Sequence, residues 1–92
     1  MPTFIMLGRL TTQAKKNGVE SRAARDRIFA EFQKLGVKVT PYTTLGPYDI
    51  VNIVEAPSDE LAMKFLMSVG STGNVDSTTL RAFTEEEAKK FR

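Results

Sequence analysis

Two stretches of the chain are apolar at nearly every position, which predicts strands covered on both faces. They are Thr3–Leu10 and Tyr48–Ala56, the first and third predicted strands. Because successive strand residues face opposite sides of a sheet, the apolar residues divide between two faces: Phe4, Met6 and Leu10 against Ile5 and Leu7, then Ile50 and Val54 against Val51 and Ile53. Asn52 alone interrupts the second run. Strands of this kind lie in the centre of a sheet.

Apolar residues spaced three and four positions apart predict two helices. A short helical turn over residues 12–17 precedes the first helix, which begins at Ser21 as N-cap and ends at Gly36 as a left-handed cap. Its apolar stripe consists of Ala24, Ile28, Phe32 and Leu35. The second helix is capped by Ser58 and closed by Gly70, and its apolar face consists of Leu61, Ala62, Phe65, Leu66 and Val69. Each helix therefore presents one apolar stripe to a sheet.

Two further strands complete the prediction. Val37–Thr44 contains Pro41, which cannot donate a backbone hydrogen bond, so this strand is placed at an edge of the sheet. Val75–Phe83 is the fourth strand. Thr84 and Glu87 then form a capping box for a final helical turn. The order is strand, helix, strand, strand, helix, strand.

This order predicts one α+β domain over residues 1–92. Right-handed crossovers place strands one and three in the centre of an antiparallel four-stranded sheet, with both helices on one face. The opposite face of these two strands is also apolar, and a soluble monomer rarely exposes a large apolar patch. We therefore predict a homodimer in which a second copy of the chain covers that face.

Composition narrows the chemistry that the chain can perform. Its 92 residues include no cysteine and no histidine. Disulfides, thiol chemistry, the commonest general base near neutral pH and histidine-held zinc or haem are thereby removed. We expect no metal and no cofactor. No apolar run reaches the length of a signal peptide or a membrane span, so the expected location is the cytoplasm, without a membrane partner.

Charge is uneven along the chain. The net charge is +2, but residues 1–46 carry eight Lys/Arg and three Asp/Glu, whereas residues 47–92 carry five and eight. The basic excess lies between Lys15 and Lys34. It is either a solvated helix face or a surface that meets an anionic partner.

The element Gly46-Pro47-Tyr48-Asp49, with several other segments, resembles the GYD domain family, named for a Gly-x-Tyr-Asp element. The resembling segments are Pro-Thr-Phe-Ile-Met-Leu at the start, Thr-Leu-Gly-Pro-Tyr-Asp-Ile-Val at 44–51, Val-Glu-Ala-Pro at 54–57, Gly-Ser-Thr-Gly-Asn-Val at 70–75 and Thr-Leu-Arg-Ala-Phe-Thr-Glu-Glu-Glu at 79–87. The resemblance implies a ferredoxin-like βαββαβ fold of the dimeric α/β-barrel group. It implies little about activity, because relatives by fold include cofactor-free monooxygenases, haem-degrading enzymes, muconolactone isomerases and stress-responsive proteins. The family is usually apolar where this chain has Asn52.

Four residues are candidates for contact with a ligand: Tyr48, Asp49, Asn52 and Arg81. Tyr48 and Asp49 can handle a polar substrate, but adjacent strand residues point apart, which favours a structural role in which Asp49 accepts backbone N–H groups. Asn52 is either hydrogen-bonded inside the core or lines a cavity. Arg81 requires a negative partner, which is Asp49 or Glu55, a carboxylate across the dimer, or an anionic ligand. No catalytic residue is assigned.

Other motifs favour structural roles. The loop at residues 70–74 follows a helix and precedes no lysine, so it is interpreted as a helix-to-strand turn, unlike a phosphate loop. Met63 and Met67 are interpreted as helix packing.

Three functions stay open at this point. The chain can be a binder of small molecules with a pocket in the dimeric barrel, a cofactor-independent monooxygenase-like or isomerase-like enzyme, or a structural or regulatory dimer without a substrate. RNA-recognition domains share the element order but need aromatic residues on the middle strands. Here those strands carry only Phe4 and Tyr48, so no nucleic-acid partner is predicted.

Overall fold

Four strands form one antiparallel sheet in the computed structural model, which describes all 92 residues. Their bounds are Thr3–Leu10 (β1), Lys38–Thr43 (β2), Ile50–Glu55 (β3) and Val75–Ala82 (β4). The strand order is β2-β3-β1-β4, and every neighbouring pair is antiparallel. The central position of β1 and β3 and the edge position of β2 are therefore confirmed.

The helices occupy the predicted parts of the chain. Their bounds are Thr12–Lys16 (α1), Gly18–Gln33 (α2), Asp59–Gly70 (α3) and Glu85–Ala88 (α4), and a turn of 3-10 helix follows at Lys89–Phe91. The Ser58 hydroxyl accepts the backbone N–H of Leu61, and Thr84 and Glu87 form the predicted capping box. The N-caps of α3 and α4 are confirmed, whereas the residue that caps the end of α3 is Ser71, one position after the predicted Gly70.

The start of α2 differs from the prediction. Ser21 does not cap the helix; α2 begins at Gly18, and the Ser21 hydroxyl donates to the Gly18 carbonyl at 3.1 Å. Asn17 ends α1 and also begins α2, because its carbonyl accepts the Ser21 backbone N–H at 2.8 Å. The two helices thus meet at one residue, and the predicted break is shorter than the sequence suggested.

The core lies between the sheet and helices α2 and α3. Phe4 and Met6 of β1 and Val54 of β3 share this face of the sheet, and Phe65 of α3 packs edge-on against Phe32 of α2 with centroids 5.4 Å apart. The predicted stripe of α2 fails at Leu35, which is 56% exposed, because the helix ends at Gln33. Gly36 has a φ of 94°, as the predicted left-handed cap requires.

The opposite face of the sheet carries no helix. On β1, Ile5 lies between Ile53 of β3 and Leu80 of β4, and Leu7 lies beside Val51. None of these five residues belongs to the buried core. Together they form an apolar surface on the side of the sheet that carries no helix, which we call the apolar open face. The prediction that both helices cover only one face is confirmed.

Two methionines on α3 are exposed, contrary to the packing interpretation. Met63 is 50% and Met67 70% exposed, whereas Ala62, Phe65 and Val69 are buried. A helix turns about 100° per residue, so Met63, one position beyond Ala62, points away from the core. No helix of the chain has the length and apolarity to cross a membrane.

Candidate ligand-binding cavity

A cavity of about 550 Å³ lies between α1, α2 and the sheet. Its buried residues are Met6, Ala14, Asn52 and Val69, which form the floor. The side walls include the apolar residues Ile28, Phe29, Ile50 and Val75. A volume of this size is typical of pockets for small molecules, which are usually apolar with a few placed polar groups.

Asn52 is the polar group on the cavity floor. It lies on β3 between Met6 of β1 and Pro41 of β2 and is only 3% exposed. Its side-chain amide makes no hydrogen bond within the chain. Every fully enclosed side-chain nitrogen or oxygen of the chain does make one, so the amide of Asn52 is not fully enclosed and opens onto the cavity. Because the amide is accessible from the cavity, Asn52 is a hydrogen-bonding group available to a ligand or to water at this surface.

Positive charge surrounds the mouth of the cavity. Lys15, Arg22 and Arg25 line it and are exposed, and Arg25 pairs with Asp26 at 3.1 Å. Lys15 and Arg22 form no ion pair. Asp49 is the one carboxylate in the lining, so the mouth has an excess of positive charge.

One face of α2 supplies much of the lining. Gly18, Arg22, Arg25 and Phe29 step by four, three and four, which keeps them on the same side of a helix. The sequence singled out this stretch only as a basic excess. The spacing of Arg22 and Arg25, three positions apart on one side of the helix, was the sequence signal that could have located the cationic mouth of the cavity.

Gly8 on β1 lets the cavity walls approach the sheet. A Cβ atom there would lie 2.7 Å from Cγ2 of Val75 and 2.8 Å from Cγ1 of Ile50. Both distances are shorter than any real Cβ contact, so these wall residues pack directly on the glycine backbone. Sequence reasoning assigned no role to Gly8.

The predicted motif at Tyr48 and Asp49 joins the end of β1 to the turn before β3. The Asp49 carboxylate accepts the Leu10 backbone N–H at 2.8 Å, and the Asp49 N–H donates to the Gly8 carbonyl at 2.9 Å. The Asp49 carbonyl accepts the Thr44 N–H at 2.9 Å. Asp49 accepts a backbone N–H as expected, and strand β3 begins only at Ile50, two residues later than predicted.

Tyr48 takes part in the same structural clamp, by which we mean the contacts that hold residues 47–49 against the end of β1. Arg9 of β1 donates from Nε to the Pro47 carbonyl at 2.8 Å, and its guanidinium lies 5.2 Å from the centroid of the Tyr48 ring. Tyr48 does not line the cavity, whereas Asp49 does. Tyr48 and Asp49 therefore face different surroundings, and only Asp49 faces the cavity. The contact between Arg9 and Tyr48 was not predicted from the sequence.

Arg81 lies away from the cavity. Its guanidinium donates to the carbonyls of Thr3 and Ala82, at 3.2 and 2.7 Å, and lies 5.3 and 4.5 Å from the ring centroids of Phe4 and Phe83. The predicted ion pair with Asp49 or Glu55 is absent from the chain. The reason is topological: β1 separates β4 from β3, so neither carboxylate is on the neighbouring strand.

The glycine-rich loop holds α1 in place. The Thr11 hydroxyl donates to the Gly73 carbonyl at 2.8 Å, and the Gln13 amide donates to the Thr72 carbonyl and the Asn74 side chain at 3.1 and 2.9 Å. The loop is a helix-to-strand turn, as interpreted, and it fixes the helix that closes one side of the cavity. No three acidic side chains lie close enough together to hold a metal ion.

Comparison with known proteins fits this architecture. The GYD domain profile matches residues 4–91, nearly the whole chain. The chain belongs to the GYD domain family. It is 36% identical over 84 residues to a protein of Thermus thermophilus named glutamine synthetase and cystathionine beta-lyase binding protein, with 89% of this chain and 88% of the relative covered. No solved structure matches the chain at a significant level.

The cavity of this GYD protein combines apolar side chains with an amide, hydroxyl groups and positive charge. Asp49 supplies its single carboxylate, one oxygen of which accepts the Leu10 backbone N–H.

Proposed function

We propose that this GYD protein is a binding protein that associates with a metabolic enzyme, with glutamine synthetase and cystathionine beta-lyase as the first candidates. The observation that carries the proposal is the relative named for binding these two enzymes, which is similar over nearly the full length of both chains.

A homodimer is part of the proposal. The apolar open face, Ile5, Leu7, Val51, Ile53 and Leu80, is continuous across three strands and has no helix over it. Burying apolar surface contributes roughly 25 cal/mol per Å², so a second copy placed face to face would be favoured. Symmetric pairing covers both faces with one interface.

Light scattering tests the dimer. We expect the parent to have twice the 10.2 kDa mass of the chain, and Ile53→Lys to have the single mass, because a lysine pair cannot be buried at the centre of the interface without partners. Val19→Lys is the matched control, since Val19 is 76% exposed on α2. A parent of single mass at about 100 µM would overturn the dimer, since specific dimers commonly bind far more tightly.

The exposed methionines of α3 are the proposed contact for the enzyme. Met63 and Met67 lie four positions apart on one side of the helix, outside the open face. Methionine is flexible and polarisable, which suits a surface that adapts to more than one partner. Exposed pairs of this kind do not contribute to the core of this chain.

A binding titration with purified enzymes tests the function. The parent should bind glutamine synthetase or cystathionine beta-lyase of its own organism saturably, with a dissociation constant of about 10 µM or tighter. Met63→Gln with Met67→Gln should weaken binding at least about tenfold, whereas Val19→Gln should not. Absence of binding to both enzymes by a folded parent would refute the proposal, and unchanged binding in the double methionine variant would remove Met63 and Met67 from the contact.

Small-molecule binding is the second candidate function, and the unpartnered amide of Asn52 favours it. The residue is buried, and its amide, which makes no hydrogen bond within the chain, opens onto the cavity; such departures from core packing concentrate at functional sites. Of the predicted ligand residues, only Asn52 and Asp49 line the cavity.

We also propose that the protein is located in the cytoplasm, and fractionation of cells tests this location.

A further inference from the structure

The cavity contains two kinds of polar group that no contact within the chain uses. Asn52 presents an amide on the floor. Lys15 and Arg22 present cationic groups at the mouth without ion pairs. Between them lie apolar walls that include Phe29 and Val75. A ligand that satisfies both groups must therefore be anionic at one end and apolar along its body.

The other charges near the mouth do not cancel this positive excess. Asp49 is the only acid in the lining, and its single negative charge is outnumbered by the three cations Lys15, Arg22 and Arg25. Asp26 pairs with Arg25. The lining therefore keeps an excess of positive charge, to which Lys15 and Arg22 contribute without an ion pair.

The guanidinium of Arg22 specifies the anion further. A planar guanidinium binds a carboxylate or a phosphate through two parallel hydrogen bonds, and the carboxylate is the smaller of the two groups. A cavity of about 550 Å³ accommodates a small organic molecule. The amide of Asn52 can donate to, or accept from, a polar atom at the inner end of that molecule.

We propose that this cavity binds a small organic carboxylate, with the carboxylate at the mouth against Arg22 and Lys15 and a hydroxyl or carbonyl of its body at Asn52. The proposal rests on the second candidate function, small-molecule binding, and is independent of enzyme association. It names the ligand by chemistry: an apolar or aromatic body with one anionic end and one inner polar group.

Three probes of nearly equal shape test the proposal on the full-length protein. They are phenylacetate, its neutral counterpart phenylacetamide, and para-hydroxyphenylacetate, which adds an inner polar group. At low salt we expect phenylacetate to bind with a dissociation constant of about 1 mM or tighter, as its size allows. It should bind about three- to tenfold more tightly than phenylacetamide, and added salt should reduce that preference. The para-hydroxyl should improve affinity about threefold.

Matched variants assign each effect to a residue. Arg22→Gln should abolish the preference for the anion. Arg27→Gln, which removes the same charge from α2 outside this cavity, should keep it. Asn52→Val should remove the gain from the para-hydroxyl without lowering the melting temperature, because valine removes an unpartnered amide. In the parent, the NMR signals of the Asn52 side-chain NH₂ should shift on titration, a readout that does not depend on how the variant folds.

The results distinguish failure of the carboxylate inference from failure of small-molecule binding as a whole. Equal binding of phenylacetamide, or equal effects of Arg22→Gln and Arg27→Gln, would overturn the carboxylate inference and leave small-molecule binding standing. An unshifted Asn52 signal with bound probe would remove Asn52 from the site. No binding of any probe up to about 10 mM would overturn both the inference and the second candidate function.

Discussion

Replacement of Asp49 tests whether the family motif is a structural clamp. Asp49→Ala deletes the carboxylate that accepts the Leu10 N–H at 2.8 Å but leaves the backbone bonds of residue 49 to Gly8 and Thr44 in place. A hydrogen bond to a charged group contributes about 1.5–3 kcal/mol. Leu10 is 38% exposed, so water can partly replace the lost acceptor. We therefore expect a loss of about 1–1.5 kcal/mol.

This loss is measurable by thermal or urea unfolding at one fixed protein concentration. For a chain of this size it corresponds to a fall in melting temperature of about 4–10 °C. Asp49→Asn is the matched control, because it keeps an oxygen acceptor but not the charge, and it should lose about half as much. Amide exchange at Leu10 should accelerate in Asp49→Ala. An unchanged melting temperature in Asp49→Ala, or an equal loss in both variants, would refute the clamp.

Two further predictions follow from backbone positions and caps. Gly8→Ala should destabilise the protein by about 1–3 kcal/mol in urea unfolding, because the new methyl group meets Val75 and Ile50; Gly70→Ala, where the added Cβ meets nothing, should not destabilise it. The Thr84 backbone N–H lowers the pKa of the Glu87 carboxyl. A lowered pKa means that the cap stabilises α4 at neutral pH and loses this contribution as pH falls through the folded-state pKa. NMR of the Thr84 amide against pH should show that loss, and a signal unchanged down to pH ~2 would contradict it.

The sheet and its strand order were predictable because two independent features of the sequence indicated the same arrangement. Two-sided apolar character put β1 and β3 in the centre, and Pro41 independently put β2 at the edge. The start of α2 was not predictable from Ser21, because Asn17 serves two helices at once. Local capping preference was overridden there by how the helices join.

The candidate site was predictable only in part. Asn52 stood out because it interrupts an apolar run, and it does line the cavity. Arg81 stood out for the same kind of reason, yet backbone carbonyls and two aromatic rings satisfy it. The cavity itself depends on how α1 and α2 lie across the sheet, which is a tertiary arrangement. Met63 shows a missed signal, since its place beside Ala62 already puts it off the buried stripe.

Sedimentation velocity of the fluorescently labelled chain, alone and with glutamine synthetase of its own organism, tests the central claim most directly. Alone, the label should sediment as a species of twice the 10.2 kDa chain mass. With a molar excess of the enzyme at about 10 µM, the label should move to the sedimentation coefficient of the much larger enzyme, and unlabelled chain should displace it. If the label keeps its own sedimentation coefficient with this enzyme, and with cystathionine beta-lyase in the same experiment, the protein does not have the proposed function.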